Sequence, residues 1–263
     1  MRTLNLSLYR SLAPYPPEDL IRLGGKFDGG YVVSRKALLG SDCLLTFGVN
    51  YDLKFEFDFS KFGNLNKPVH LYDKSTAPFA LDYIFSRLLL SLKFRSPRPF
   101  LDYLKFLIYR RALIRNGSVF YRINVSDSKN HNVVTLAESI QKLHEFKDIL
   151  LKVDIEGDEF LILADILKYS NCFTGLIIEF HRASVLWDKI CWYVDELKSK
   201  GLLLDHFHVN NYGSINPEGL PNVFELSFSR SRREMNRGGI WKLPISGLDS
   251  PNAPLKADYE IIF

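Results

Sequence analysis

The chain is poor in cysteine, with only Cys43, Cys172 and Cys191 among its 263 residues. Their number and irregular spacing exclude a disulfide framework or a zinc cluster. No stretch of 18 uncharged apolar residues occurs, so the sequence predicts no transmembrane segment. The first ten residues show neither an uninterrupted apolar core nor a cleavage site. We therefore expect a cytoplasmic protein with reduced thiols.

The chain also lacks a strong charge of either sign. Its net charge is +4 and its pI is near 8.8, which falls short of a nucleic-acid-binding composition. We expect no nucleic-acid partner, although a mildly basic protein favours acidic small substrates or anionic surfaces. The 46% of hydrophobic residues is enough for a substantial core.

Short apolar runs alternate with helical patterns from Cys43 onward, which predicts an α/β fold with a doubly wound, mostly parallel sheet. We expect one domain over residues 1–263. The seven predicted strands are Leu44–Gly48, Val69–Tyr72, Val119–Val125, Ile149–Asp154, Gly175–Phe180, Leu202–Val209 and Val223–Phe228.

Helix ends are readable at three places. Thr135 and Glu138 form a predicted capping box, Ser184 is a predicted helix cap, and Gly201 is a predicted left-handed helix end. Two regions interrupt the alternation. Residues 1–40 form an N-terminal cap segment, and residues 79–117 form a predicted helical insertion between strands two and three.

Ligands of open α/β sheets bind beyond the carboxyl ends of the strands. Strand one ends at Gly48, but the Gly-x-Gly-x-x-Gly signature of a phosphate loop is missing. Asp52, Glu56 and Asp58 follow closely. These carboxylates would repel a pyrophosphate, whereas they would not repel a sulfonium-bearing amino acid.

Asp73 ends strand two, roughly twenty residues beyond the turn at Gly48. An acidic side chain at this position accepts hydrogen bonds from ribose hydroxyls in nucleoside sites. We predict Asp73 as the ribose ligand. A solvated turn aspartate before Lys74 is the alternative.

Carboxylates and histidines also follow strands four, five and six. Strand four runs into Asp154-Ile-Glu-Gly-Asp-Glu159, strand five into Glu179-Phe-His181, and strand six into His206-Phe-His-Val-Asn-Asn211. Such crowding of carboxylates at one edge requires a cation or a shared proton.

These motifs resemble the FkbM-type family of S-adenosylmethionine-dependent methyltransferases. The resemblance rests on Leu-Lys-Val-Asp-Ile-Glu-Gly-Asp-Glu at 151–159 followed by Ile-Ile-Glu-Phe-His at 177–181. It extends to residues 24–33, 45–52 and 71–73. The resemblance implies a Rossmann-like class I methyltransferase fold, with the donor over strands one and two and an acceptor hydroxyl over strands four and five.

The resemblance also implies S-adenosyl-L-methionine as the methyl donor and O-methylation of a sugar hydroxyl in bacterial surface polysaccharides, such as a capsular polysaccharide. The acceptor is then a small molecule or an oligosaccharide. Gly48 is the single glycine retained in the strand-one turn. The candidate donor ligands are Asp28, Gly29, Gly30, Tyr31, Phe47, Gly48, Asp73, Ser126, Asp127 and Asp154.

Within this set, the turn Asp28-Gly-Gly-Tyr31 has two interpretations. It folds over the donor, with Tyr31 covering the adenosine, or it is a plain hairpin turn.

Methyl transfer to a hydroxyl requires removal of the hydroxyl proton. In one route, Asp154 and Glu179, with His208 or Asn210, hold Mg²⁺ or Mn²⁺. In the other, His181 or His208 is the general base. The candidate acceptor contacts are Glu156, Asn210 and Arg230, the last beginning the cluster Arg230-Ser-Arg-Arg233.

Several alternatives stay open at this level. The 79–117 insertion is a core layer over the site, a homodimer interface or a basic amphipathic face for peripheral membrane contact. The chain as a whole is a methyltransferase, a metal-dependent nucleotide-sugar-handling transferase or a non-catalytic binding domain. The missing phosphate loop argues against the second of these.

Overall fold

The structure is a computed structural model that describes residues 2–76, 81–93, 96–127, 133–230 and 243–263. Within these ranges the strands are, in chain order, β1 (Arg2–Asn5), β2 (Leu20–Gly24), β3 (Gly30–Ser34), β4 (Cys43–Phe47), β5 (Val69–Tyr72), β6 (Val119–Tyr121), β7 (Asn124–Val125), β8 (Val133–Val134), β9 (Ile149–Val153), β10 (Phe173–Phe180), β11 (Leu202–Val209), β12 (Phe224–Arg230) and β13 (Tyr259–Ile262).

The α-helices in the same ranges lie between these strands. They are α1 (Arg35–Gly40), α2 (Lys54–Lys61), α3 (Leu81–Lys93), α4 (Arg98–Arg115), α5 (Leu136–Gln141), α6 (Glu159–Lys168) and α7 (Trp187–Ser199). None of them is both long and apolar enough to cross a membrane.

Seven strands form the central sheet, in the order β11-β12-β10-β9-β4-β5-β6. Strand β12 is antiparallel to both of its neighbours, and the other pairs are parallel. The chain runs outward from β4 to β6 and then returns to β9 on the other side of β4. The junction of β4 and β9 is therefore the switch point of the sheet. The predicted Rossmann-like fold with a seven-stranded, mostly parallel sheet is confirmed.

Both faces of the sheet are covered, because alternate residues of each central strand belong to different core clusters. Leu45 and Leu151 pack with the side chains of α5, α6 and α7. Leu44 and Leu150 pack with the β2–β3 hairpin, α2 and α4. Strands buried on both faces explain why these segments are continuous apolar runs in the sequence.

The N-terminal segment forms separate small sheets. Strands β2 and β3 pair as an antiparallel hairpin, whereas β1 pairs in parallel with β13 near the carboxyl terminus. The predicted helical insertion consists of α3 and α4, which pack against each other. Helix α4 reaches the core through Tyr103, Phe106 and Leu113.

Two local predictions are wrong. The third predicted strand, Val119–Val125, is split into β6 and β7, and β7 pairs with β8 rather than with the central sheet. Ser184 does not cap α7, which begins at Trp187 after an N-cap residue, Leu186, that makes no side-chain cap. The Ser184 hydroxyl instead donates to Asn222 Oδ1 at 3.1 Å.

Two other local predictions are confirmed. The Thr135 hydroxyl and the Glu138 carboxylate form a reciprocal capping box at the start of α5. Gly201 has a left-handed backbone, with φ +81°, between α7 and β11.

Candidate functional site

An open cavity of about 1370 Å³ lies at the carboxyl ends of the central strands. Its lining comes from the residues that follow β4, β5, β9, β10 and β11, together with the β2–β3 turn and one side of α4. This position at the switch point is where open α/β sheets bind their ligands. The cavity brings together most of the residues that the sequence singled out.

Gly48 forms the turn after β4 and touches the end of β9. Its φ is +76°, and a Cβ at this position would lie 1.7 Å from the carbonyl oxygen of Asp154. The Gly48 amide donates to the carbonyl of Tyr72 at 3.0 Å. A glycine is required here because the backbone is left-handed and two strand ends meet without room for a side chain.

Asp73 lines the cavity beside this turn and holds it in place. Its Oδ2 accepts from the amides of Val49 and Asn50 at 2.9 and 2.8 Å. Its Oδ1 accepts from the amide and the hydroxyl of Ser75 at 2.7 and 2.6 Å. Because a carboxylate offers about four acceptor positions, a ribose diol would have to replace the hydroxyl of Ser75.

A buried charged group lies directly beneath the Gly48 turn. Lys152, at 4% exposure, donates from Nζ to the carbonyl of Gly48 at 3.1 Å and lies 3.6 Å from Glu56 Oε1. Burial lowers the pKa of Lys152, but the charges of Glu56 and Asp154 outweigh burial and raise it. The ammonium therefore stays charged and supports the turn from below.

Lys152 is a functional residue that the sequence pattern does not single out, and Glu56 is predicted only as a carboxylate near the turn. Both sit among apolar neighbours, Lys152 in a buried strand and Glu56 between Phe55 and Phe57 in α2. A buried lysine needs a carboxylate partner. The need of a buried lysine for a carboxylate partner is the sequence signal from which the contact of Lys152 with Glu56 could have been predicted.

Tyr31 belongs to the cavity lining and is held against Asp154. Its side chain is buried, and its hydroxyl donates to Asp154 Oδ2 at 3.0 Å. The ring contacts Phe55 edge-on, and Lys152 Nζ lies 5.1 Å from the ring centroid. Tyr31 therefore positions Asp154 from within the cavity lining, and contact of its ring with an adenosine stays a prediction.

The β2–β3 turn lies at the cavity wall through Gly25, Asp28 and Gly29. Asp28 Oδ1 accepts from Asn252 Nδ2 at 3.2 Å, and burial raises the pKa of its carboxyl. Gly30 is outside the lining, and a Cβ there would lie 1.9 Å from the carbonyl oxygen of Gly25. The turn is thus a tight hairpin, as the second interpretation expects. Its outer residues Asp28 and Gly29 face the cavity, as a turn that folds over the donor would.

Asp154 and Glu179 form the acidic floor of the cavity. Burial raises the pKa of Asp154, although Lys152 and His181 oppose the shift. Burial and the neighbouring Asp154 raise the pKa of Glu179 well above its ordinary value. Asn210 Nδ2 donates to Glu179 Oε1 at 2.7 Å. The pair is arranged to share a proton or to receive one.

His181 faces the same floor. Its Nδ1 lies 2.9 Å from Glu159 Oε1, and its Nε2 lies 3.5 Å from Glu156 Oε2 and 3.9 Å from Glu179 Oε1. Burial lowers the pKa of His181, but the hydrogen bond to Glu159 and the surrounding carboxylates outweigh burial and raise it. The ring is held in one orientation by Glu159, with Nε2 towards the acidic floor.

The potential cation ligands differ from the predicted set. Within the described ranges, one ligand atom each from Asp154, Glu156 and His181 lies within 4.8 Å of the others. Glu156 has a left-handed backbone, with φ +57°, and an exposed carboxylate. The predicted set of Asp154, Glu179 and His208 is inconsistent with the structure, because His208 is outside the cavity lining.

His208 is held in a separate buried cluster. Its Nε2 lies 3.1 Å from Asp258 Oδ2, and its Nδ1 lies 3.6 Å from Glu225 Oε2. Burial lowers the pKa of His208, but these two carboxylates raise it to about 10. An imidazole enclosed between two carboxylates and outside the cavity lining is unsuited to the predicted role of general base.

Arg230 pairs with Leu202 at the start of β11, so it lies at the end of the sheet opposite to the cavity. Its guanidinium donates to the carbonyls of Phe173, Lys200 and Ser170 at 2.9, 2.9 and 2.6 Å. The predicted contact with an acceptor is therefore inconsistent with the structure. The other arginines of that predicted cluster lie outside the described residues.

Three predicted donor ligands are also outside the cavity lining. Ser126 donates from its hydroxyl to Asp127 Oδ1 at 3.2 Å, and both follow β7 rather than a strand of the central sheet. Phe47 is a fully buried core residue that packs edge-on against Tyr72. The cavity does include the preceding residues Asn124 and Val125.

Solved structures similar to this chain include proteins named as methyltransferases. An O-methyltransferase from Bacillus cereus in complex with SAH is 10% identical, over 74% of this chain and 76% of its own, with a TM-score of 0.35. A precorrin-6y C5,15-methyltransferase from Geobacter metallireducens is 12% identical, over 74% and 86%, with a TM-score of 0.34.

An uncharacterized protein from Listeria monocytogenes serotype 4b is 12% identical over 75% of this chain, with a TM-score of 0.36. The match spans 64% of the length of that protein. No protein-family model and no curated protein match the chain. At these identities and TM-scores the similarities assign neither an activity nor a substrate to this chain.

Proposed function

We propose that this chain is an S-adenosylmethionine-dependent O-methyltransferase of the FkbM type, with a sugar hydroxyl of a surface polysaccharide as its acceptor. The observation that carries the methyl-transfer part is an acidic cavity at the switch point, closed by a one-glycine turn in place of a phosphate loop. The sugar acceptor and the family follow from the resemblance at residues 151–159 and 177–181.

The charge of the cavity favours this donor over a nucleotide sugar. Five lysine or arginine side chains line its described part, against nine carboxylates: Asp28, Asp52, Glu56, Asp73, Asp102, Asp154, Glu156, Asp158 and Glu179. S-adenosylmethionine carries a sulfonium and an ammonium against one carboxylate, whereas a nucleotide sugar carries a doubly charged pyrophosphate. Like charges in a partly buried cavity repel, so the second ligand is disfavoured.

The residues present fit the donor in size and in polarity. A cavity of about 1370 Å³ exceeds the usual volume of a small-molecule site. The turn at Gly48 brings backbone amides to the donor side of the cavity, and Asp73 holds that turn at Val49 and Asn50. When bound, the donor supplies an electrophilic methyl carbon.

The acceptor side of the cavity removes the proton from the attacking hydroxyl. Glu179 is suited to this role, because its raised pKa makes it a stronger base than an ordinary carboxylate. Asp154 shares the negative charge of the floor with Glu179. The Tyr31 hydroxyl orients Asp154 and the Asn210 amide orients Glu179, while His181 faces both carboxylates. Alignment of the hydroxyl with the donor supplies the remaining requirement.

A divalent cation is the second route to the same step. Asp154, Glu156 and His181 would hold Mg²⁺ or Mn²⁺, whose charge lowers the pKa of a coordinated hydroxyl. The routes differ in their response to a chelator. Loss of activity in chelator that is restored by Mg²⁺ supports the cation, and full activity in chelator supports Glu179 as the base.

A calorimetric titration tests the proposed donor. We expect S-adenosylhomocysteine to bind with a Kd in roughly the micromolar range and a nucleotide sugar to show no binding below about 1 mM. Binding of the nucleotide sugar without S-adenosylhomocysteine would assign the chain to the rival transferase class. Binding of an oligosaccharide alone would indicate a non-catalytic domain.

Asp73→Asn is expected to weaken S-adenosylhomocysteine binding by about 10- to 100-fold. The amide cannot replace the charged acceptor for the amides of Val49 and Asn50, and a hydrogen bond to a charged group contributes about 1.5–3 kcal/mol. The measurement is calorimetry beside Asp127→Asn, a control outside the cavity. Equal affinities of both variants would remove Asp73 from the donor site.

A further inference from the structure

The α3–α4 hairpin carries more positive charge than the whole chain. Residues 81–115 include eight lysines or arginines and two aspartates, a net charge of +6, while the chain has +4. The other 228 residues therefore sum to −2. The basic character of the protein is concentrated in this insertion, which favours contact with an anionic surface.

The same two helices expose apolar side chains at helical spacing. On α3, Phe85 and Leu92 are 63% and 75% exposed, and Leu88 and Leu89 are also exposed. These four positions follow the i, i+3, i+4, i+7 pattern of one helix face. On α4, Leu101, Leu104 and Ile108 repeat the pattern and are likewise exposed. Single exposed leucines are ordinary, but two such stripes on adjacent helices mark an interaction surface.

The hairpin is fixed to the rest of the molecule next to the cavity. Phe106 of α4 is buried in the core and contacts Tyr51 edge-on, with ring centroids 5.0 Å apart. Arg87 of α3 and Lys105 of α4 belong to the cavity lining. The exposed stripes are thus carried beside the cavity on a hairpin that is anchored to the core through α4.

Charge distinguishes between the two occupants that this surface could take. In a symmetric dimer the same patch meets itself, which would bring two hairpins of net charge +6 together. An anionic bilayer offers the opposite charge to the basic side chains and an apolar interior to the leucines. The surface therefore fits a lipid surface better than a second copy.

We propose that the α3–α4 hairpin docks on anionic lipid bilayers as a peripheral membrane anchor. Phe85, Leu88, Leu89 and Leu92 enter the acyl boundary, and the exposed Arg111 and Arg115 of α4 meet lipid phosphates. This proposal is independent of the chemistry in the cavity, because vesicle binding is measured without methyl donor or acceptor.

Vesicle flotation of the full chain tests this docking. Vesicles of phosphatidylcholine with about 30% phosphatidylglycerol should carry the protein at low salt, and pure phosphatidylcholine vesicles should not. Arg111→Gln combined with Arg115→Gln should weaken binding by about 30-fold, from about 1 kcal/mol per basic residue near the surface. Leu88→Gln combined with Leu92→Gln should weaken it at least about 10-fold.

Leu161→Gln is the matched control, since Leu161 is 44% exposed on α6, away from the hairpin. It should float like the unaltered chain. S-adenosylhomocysteine titration of the leucine variant separates docking from donor binding, because Leu88 and Leu92 are both outside the cavity lining. Absence of flotation with anionic vesicles would overturn the proposal. So would a dimer in light scattering that the leucine variant dissociates.

Discussion

Gly48→Ala is expected to weaken donor binding strongly and to lower the free energy of unfolding. The left-handed backbone costs about 1–2 kcal/mol with a side chain, and the clash with the Asp154 carbonyl adds about 1–3 kcal/mol. Relief of the clash must separate the ends of β4 and β9, between which the donor turn is formed. We expect Tm to fall by roughly 5–15 °C and donor affinity to fall at least about 100-fold.

Gly117→Ala separates the two contributions to this effect. Gly117 has a similar φ, +82°, but no atom lies within 4 Å of the position of its Cβ. Its substitution therefore measures the backbone cost alone and should leave S-adenosylhomocysteine binding unchanged. Thermal melts and calorimetry on both variants give the comparison. Equal melting temperatures and wild-type affinity for Gly48→Ala would contradict the described turn.

Asp154→Asn is expected to reduce kcat by roughly 10²- to 10⁴-fold while changing donor affinity less than about threefold. The amide keeps the shape and the contact with the Tyr31 hydroxyl but cannot take up a proton or neutralise a cation. It also removes the charge that raises the pKa of Glu179, so Glu179 becomes a weaker base. Initial rates with a methyl acceptor and calorimetry with S-adenosylhomocysteine measure the two quantities.

The control for this change is Asp188→Asn, which alters an exposed aspartate in the first turn of α7. Its kcat and its affinity should match those of the unaltered chain. An Asp154→Asn variant that binds the donor poorly but turns over normally when saturated would place Asp154 on the donor side. Unchanged kcat would exclude it from the acceptor side altogether.

The sheet was predictable from the sequence because its strands are buried on both faces. Continuous apolar runs such as Ile149–Val153 have few other stable environments, and the spacing of helical patterns between them implies parallel strands. The split after Tyr121 was not predictable in the same way. Two polar residues, Arg122 and Asn124, interrupt the run there, and local propensity does not decide whether a strand ends or continues.

The site was most predictable where a residue lies at or just beyond the carboxyl end of a strand of the central sheet. Gly48, Asp73, Asp154 and Glu179 meet this condition or end such a strand, and the cavity includes all four. His208 does not reach the cavity although it lies near the end of β11. Its side chain is turned to Asp258 and Glu225, which are distant in the sequence. Pairings of that kind are set by tertiary packing.

The contacts of Tyr31 and Lys152 also depend on tertiary structure that the sequence pattern does not reveal. The sequence places Tyr31 in a glycine-rich turn, but it does not reveal that β3 pairs with β2 and that the Tyr31 hydroxyl donates to Asp154. Lys152 is alternate to Leu151 and Val153 in β9, so its side chain enters the face that also holds Glu56. The contacts of these two side chains depend on the register of neighbouring strands as well as on the residue pattern of one strand.

A crystal structure of the full chain with S-adenosylhomocysteine tests the central claim most directly. We expect ligand density at the carboxyl ends of β4 and β5, against the Gly48 turn and the carboxylate of Asp73, with the sulfur of the ligand directed towards Asp154 and Glu179. Density at another surface, with the switch-point cavity open to solvent in the same crystal, would contradict it.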